Sequence, residues 1–165
     1  TAEQQLVMLS RFRITAITTC TDACRLAADL GAQMAYPDAK PPYATAPLGR
    51  SRADVDRLPR PDPTASGSRI ADRCAAGAQM VRHAGSRALV LGWVDMPFAE
   101  ACSLCGLSEF MVMLYDDPGL AHAVLEFLTE RVIAFALAQV HAGVHGVGAG
   151  DAAASLVSAD RKSVV

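Results

Sequence analysis

An uninterrupted apolar run, Ala88–Val94, and a second strand pattern thinned by glycines, Val144–Gly150, bracket a long helical pattern, and this arrangement constrains the fold more than anything else in the chain. A strand that reads as a continuous apolar run, without alternation, is buried on both faces. Strand, long helix, strand in that order implies parallel neighbours joined by a right-handed crossover. The first run leads into Gly92-Trp-Val-Asp-Met-Pro97-Phe98 and the second into Gly150-Asp151-Ala-Ala-Ala-Ser155. Asp151 thus stands just past the carboxyl end of a buried strand, the rim where α/β barrels keep their chemistry.

The rest of the chain is consistent with that layout. Residues 11–19 are rich in β-branched types and read as a short strand. Asp22 to Leu30 reads as a helix closed by Gly31 at C′. Gln33 to Tyr36 is a further short strand. Prolines 37, 41, 42, 47, 59, 61 and 63 then mark a loop-rich stretch, 37–63, of the kind that is functional or mobile in a compact domain. Thr64 to His83 is a helix with Ile70, Cys74, Gly77, Met80 and Val81 near one face, closed by Gly85. Pro97–Leu104 and Ser108–Tyr115 are short helices. Asp117-Pro118 is an acidic N-cap with proline at N1. The helix it opens runs to Ala142, with Val124, Leu125, Leu128, Val132, Phe135 and Val140 as its apolar face and Gly143 as its stop. The fold class expected is α/β, a partial (β/α)8 barrel of parallel strands with crossover helices. A complete barrel takes about 250 residues, so residues 1–159 supply roughly half of one. Asp160-Arg-Lys-Ser-Val-Val165 breaks with all that precedes it and matches one reading frame of a sequencing adapter. A non-native tail at 160–165 is therefore expected, and the missing initiator methionine points to a start upstream of Thr1.

Composition excludes several function classes. Net charge is −2, and the arginines around 50–73 are interleaved with Asp54, Asp56, Asp62 and Asp72, so no basic stripe for nucleic acid stands out. Aromatic residues make up 5% of the chain, too few for base-stacking platforms. No apolar run reaches the roughly 18 residues that span a bilayer, and the N-terminus lacks a signal peptide's basic start. Five cysteines without a secretory context read as reduced thiols, and a cytoplasmic protein is expected.

Three local signatures resemble the uroporphyrinogen decarboxylase superfamily, in order and at compatible spacing, from about Ile14 to Ser158. Asp22-Ala23 leading to Ala28-Asp-Leu-Gly31 is similar to that family's Asp-Ile…Ala-x-Gly segment. Gly92-Trp-Val-Asp-Met-Pro97-Phe98, followed by Gly106-x-x-Glu109-Phe and Asp117-Pro118, resembles its Gly-x-x-Gly-x-Pro-Phe/Trp turn. Gln139-x-x-Ala142-Gly143-Val-His-Gly146 resembles its Gln-x-x-Ala-Gly stretch before a strand that ends in an acid. The resemblance implies a (β/α)8 barrel and one of two chemistries. One branch decarboxylates uroporphyrinogen III to coproporphyrinogen III without a cofactor. Its key aspartate, matched here by Asp22, accepts the pyrrole N–H groups and balances the protonated tetrapyrrole, as a buried carboxylate facing several N–H donors would. The other branch moves methyl groups between corrinoid proteins and thiols at a zinc-thiolate site, where zinc lowers the thiol pKa.

Departures from the decarboxylase pattern are local. Ser103 stands where that branch has an active-site tyrosine, Ala152 where a substrate-binding Ser or Thr follows the acid, and Asp95 where the turn has glycine. Asp151-Ala-Ala-Ala-Ser155 is closer to the methyltransferase Asp-Pro-x-Ala-Ser. The decarboxylases' Arg-rich N-terminal loop and late histidine, and the methyltransferases' His-x-Cys…Cys ligands, have no counterpart here. The resemblance accordingly nominates Asp22 and Asp151 as catalytic and Pro97, Phe98, Ser103 and Ser155 as substrate-binding. No metal site and no cofactor are expected within these residues, with zinc and corrinoid entering only through the rest of a methyltransferase-type parent. The expected partner is a tetrapyrrole-like small molecule or a corrinoid protein. Closure of open strand edges by a second copy, or a half-barrel that binds without catalysing, is the non-enzymatic alternative. The isolated piece is expected to be catalytically inert.

Each nominated residue also has a plain structural role to weigh. Asp22 and Asp151 can each be helix caps. Cys102-x-x-Cys105 has the spacing of a redox or metal pair, but no second pair completes a zinc site, and buried cysteine is commonly a small hydrophobe. Cys20 and Cys24 could share a helical face. His141 and His145 straddle Gly143 and do not share one. Met80, Met96, Met111 and Met113 read as core packing, and Arg50–Arg60 as a solvated loop.

Overall fold

A computed structural model describes residues 2–19 and 24–158. In chain order the elements are α1 (Ala2–Arg11), β1 (Ala16–Thr18), α2 (Arg25–Asp29), β2 (Met34–Ala35), β3 (Tyr43–Ala44), α3 (Arg52–Arg57), α4 (Arg69–Ala84), β4 (Leu89–Asp95), α5 (Pro97–Cys105), α6 (Leu107–Asp116), α7 (Pro118–His141) and β5 (Gly146–Gly150). The apolar runs are strands, as expected, and β1, β4 and β5 form one sheet in the order β1-β4-β5. The β1–β4 pair is parallel, with Ala16 opposite Leu89, Ile17 opposite Val90 and Thr18 opposite Leu91. This is the strand–helix–strand arrangement of a partial (β/α)8 barrel.

The chain divides into two compact units. The first comprises Thr1–Thr21, Asp62–Val94 and Ile133–Ala149. It holds most of the parallel sheet and a core of Leu9, Ile17, Met80, Ala84, Ala88, Val90 and Val144. α4 begins where Ser68 caps it, the Ser68 hydroxyl accepting the Ala71 N–H at 3.0 Å. Its buried residues are Ile70, Cys74, Gly77, Met80 and Ala84, a stripe at spacings of three and four. α1, an element with no signature in the apolar pattern, packs on α4. Val140, expected on the apolar face of α7, is instead 49% exposed.

The second unit comprises Asp22–Pro61, Asp95–Val132 and Gly150–Val165. Here the first part of α7 buries Val124, Leu125, Leu128 and Val132, and its N-terminus is capped as the Asp-Pro pair implied: the Leu120 N–H donates to Asp117 Oδ1 at 3.0 Å. Gly31 follows α2 at φ +93°, the left-handed turn a C′ glycine supplies. The proline-rich stretch is more ordered than expected. β2 and β3 pair antiparallel across it, and α3 is opened by Ser51, whose hydroxyl accepts the Asp54 N–H at 3.2 Å.

Candidate functional site

The second unit contains a cavity of about 620 Å³. Its walls come from Cys24 ahead of α2, the β3 segment Pro42–Thr45, the α5 residues Ala99, Cys102 and Ser103, the start of α6, and Ala152-Ala153 beyond β5. Asp95, the last residue of β4, opens onto it, as does Glu109. The exits of β4 and β5 lie side by side, because the Met96 N–H donates to Gly150 O at 2.9 Å. The rim expected of a barrel site is therefore present, and Asp95 and Asp151 both stand on it.

These two acids do different things. Asp151 Oδ1 accepts the Ala154 N–H at 3.2 Å, and the carboxylate also accepts backbone N–H groups of Phe98 and Ala99 in the first turn of α5. That is the geometry of a helix cap, with the carboxylate at the positive end of the helix. Burial pushes the Asp151 carboxyl above the ordinary carboxylate range, against the pull of those N–H groups, and the neighbouring Asp95 charge pushes the same way. Of the two, it is Asp95 that lines the cavity, together with Glu109. The sequence presented Asp95 only as a departure from a glycine. The rule that selected Asp151, an acid ending a buried strand, selects Asp95 as well.

Asp151 carries a pH signature. Its folded pKa is raised, so between about 3.9 and the raised value the folded state holds more proton than the unfolded state. That contribution to stability is present at low pH and falls away as pH rises through the window. Asp151→Asn removes it. Compared with this variant, the wild-type chain is expected to lose urea-midpoint stability as pH rises above about 4, and parallel curves would place Asp151 in solvent.

The other nominated residues separate by burial. Ser103 lines the cavity, and its hydroxyl donates to Ala99 O at 3.1 Å. Pro97 sits in the first turn of α5, where its missing N–H costs nothing, and is not among the residues lining the cavity. Phe98 is 0% exposed and meets Phe110 edge to face, ring centroids 5.3 Å apart, so in this structure its side chain packs in the core. Ser155 is exposed and folds back on its own turn, donating to Ala152 O at 2.7 Å. It too is not a cavity residue. Asp22 lies outside the described residues. Glu109 folds its carboxylate back over Gly106, the N-cap of α6, into the space a Cβ would need; Gly106 has φ +89°, which only glycine adopts without strain.

Burial pushes the Cys105 thiol up to about 12, and burial together with the Asp151 charge does the same to Cys102, so without a bound metal both are neutral thiols at neutral pH. Among the described residues no group of three His, Cys, Asp or Glu side chains is placed to hold a metal ion.

A family model described as uroporphyrinogen decarboxylase (URO-D) matches residues 1–161. The chain belongs to the uroporphyrinogen decarboxylase family. It is 28% identical over 151 residues to the uroporphyrinogen decarboxylase of Methylococcus capsulatus, covering 88% of this chain and 42% of that protein. To that of Nitrosomonas europaea it is 29% identical over 151 residues, covering 88% and 41%. To that of Nocardia farcinica it is 34% identical over 131 residues, covering 75% and 35%. The chain thus spans about two-fifths of the length of the first two relatives. Among solved structures, a methyltransferase from Methanosarcina mazei superposes with a TM-score of 0.77 over 91% of this chain and 44% of that one. At 20% identity that match speaks to the fold. Within this family the cavity at the β4 and β5 exits is the place to look for chemistry. No single helix among the described residues is long and apolar enough to cross a membrane, and α5 and α6, which pass such a test only as a pair, meet at a 107° bend.

Proposed function

We propose that this chain carries one wall of a tetrapyrrole-binding site, as part of a uroporphyrinogen decarboxylase-type enzyme that converts uroporphyrinogen III to coproporphyrinogen III. One observation carries the reading: Asp95, at the exit of β4, opens onto a cavity of about 620 Å³ on the strand-end rim. Asp95 accepts pyrrole N–H groups and stabilises positive charge that develops on the ring system, the arrangement in which a carboxylate contributes most. Asp151 holds the first turn of α5 and so positions Cys102 and Ser103 in the wall. Asp22 is the second acid this family reading nominates.

The test is a titration of the 165-residue chain with uroporphyrin, followed by absorbance. Saturable binding is expected, with Asp95→Asn weakening it about 10- to 100-fold, the equivalent of one charge-assisted hydrogen bond of about 1.5–3 kcal/mol. Binding that is absent, or indifferent to Asp95, overturns the proposal.

A second reading, methyl transfer involving a corrinoid partner, is favoured by the charge of the lining. Asp95 and Glu109 are both acids, and acids repel a substrate bearing several carboxylates. Among the described residues no group of three His, Cys, Asp or Glu side chains is placed to hold the zinc that this chemistry uses, and no step is derived through it. Saturable binding of cobalamin without binding of uroporphyrin would move the assignment to this reading.

A further inference from the structure

Among the described residues the β1–β4 register runs to Thr18 opposite Leu91, and the Thr19 N–H donates to Leu91 O at 2.9 Å. Two residues further along β4, both peptide groups of Trp93 bond to one side chain from α7. The Trp93 N–H donates to Gln139 Oε1 at 3.1 Å, and Gln139 Nε2 donates to Trp93 O at 3.0 Å. The buried Thr19 hydroxyl donates to the same Oε1 at 3.4 Å. Gln139 itself is 0% exposed. A primary amide offering one acceptor and one donor side by side is a peptide unit in miniature, and here it bonds Trp93 as a rung of a ladder would.

The neighbours are cut to fit it. A Cβ at position 92 would lie 2.6 Å from Gln139 Oε1 and 3.1 Å from its Cδ, so only glycine lets the amide rest against the strand. A Cβ at position 148 would lie 2.8 Å from two atoms of the Trp93 ring, so the indole presses on the β5 backbone through a second glycine. Trp93 is thereby held through its peptide groups by Gln139 and through its ring by Gly148.

We infer that Gln139 is a positioning residue: its carboxamide holds both peptide groups of Trp93, as a neighbouring strand would, and fixes the exit of β4, which ends in Asp95. The consequence for ligand binding rests on the tetrapyrrole reading; the clamp itself does not.

Trp93 is the only tryptophan, so tryptophan labelled with nitrogen-15 yields one backbone and one indole resonance in the full chain. Gln139→Met keeps the bulk and removes both bonds. It is expected to shift the Trp93 backbone resonance and speed its amide exchange about tenfold, as losing one hydrogen bond would. Gly92→Ala is expected to have the same effect by displacing the amide. In a Gln139→Ala background Gly92→Ala is expected to add nothing, because the space it needs is already empty. That non-additivity distinguishes a clamp from general destabilisation. Thr19→Val, which removes only the hydroxyl donor, serves where Gln139→Met does not fold, and is expected to speed exchange two- to threefold. Uroporphyrin affinity is expected to fall about tenfold in Gln139→Met at temperatures where circular dichroism is unchanged. Exchange in Gln139→Met or Thr19→Val indistinguishable from wild type, or a Gly92→Ala effect undiminished without Gln139, overturns the inference. A wild-type chain that fails to bind uroporphyrin removes the tetrapyrrole reading and leaves the exchange result to decide the clamp.

Discussion

Phe98→Ala is expected to lower unfolding stability by about 3–5 kcal/mol, the range for deleting a buried aromatic ring. The ring is 0% exposed, as is Phe110, which it meets at an interplanar angle of 70°. Removing it forfeits its transfer free energy and the edge-to-face contact, and leaves a void between α5 and α6. A small domain has only about 5–15 kcal/mol in total, so a loss of this size takes up much of the margin. Urea denaturation read by circular dichroism measures it. Phe98→Leu, which refills most of the volume, is expected to cost about 1.5 kcal/mol or less and to leave uroporphyrin affinity within about twofold. A strong loss of affinity in a stable Phe98→Leu chain would restore the side chain to the substrate-contact role that its motif implied.

Phe98 also illustrates how far the sequence reaches. A family motif identifies a position, but whether a side chain faces ligand or core depends on the helix phase, and the second residue of α5 faces inward. Elements with a long apolar period were legible: α4, α7 and the runs that became β4 and β5 all stand within a few residues of their expected limits. Those that escaped bury little. α1 has one buried residue, Leu9, and opens with Glu3-Gln4-Gln5. α3 buries only Val55 and lies among prolines, and β3 is two residues long. Such segments gain their order from tertiary contacts rather than from local pattern. The site was half legible for the same reason. The strand-end rule located the rim, but a cap and a lining acid look alike in sequence, and it is the backbone N–H groups around Asp151 that mark it as a cap and the cavity wall that marks Asp95. Gln139 was visible as part of a motif. Its use appears only when α7 lays it over Gly92, a contact between residues 47 positions apart.

Alkylation of Cys102 and Cys105 is expected to be about a thousandfold slower than that of an ordinary cysteine at pH 8. Iodoacetamide reacts with thiolate, and raising a thiol from 9.0 to about 12 lowers the thiolate fraction by that factor in the range where both are mostly protonated. Burial sets the shift at Cys105, which is 1% exposed, and steric exclusion slows it further. Cys102 is more open, because it lines the cavity, so its rate is the cleaner report of the Asp151 charge. Asp151→Asn therefore speeds alkylation of Cys102, and peptide mass mapping after timed exposure resolves the two sites. The rates bear directly on which chemistry this wall supports. A thiol held neutral beside a carboxylate makes a polar, weakly hydrogen-bonding surface suited to a ring system. Rates within about tenfold of free cysteine would mean that something stabilises the anion here, and would return the Cys102-x-x-Cys105 pair to the list of metal or redox ligands.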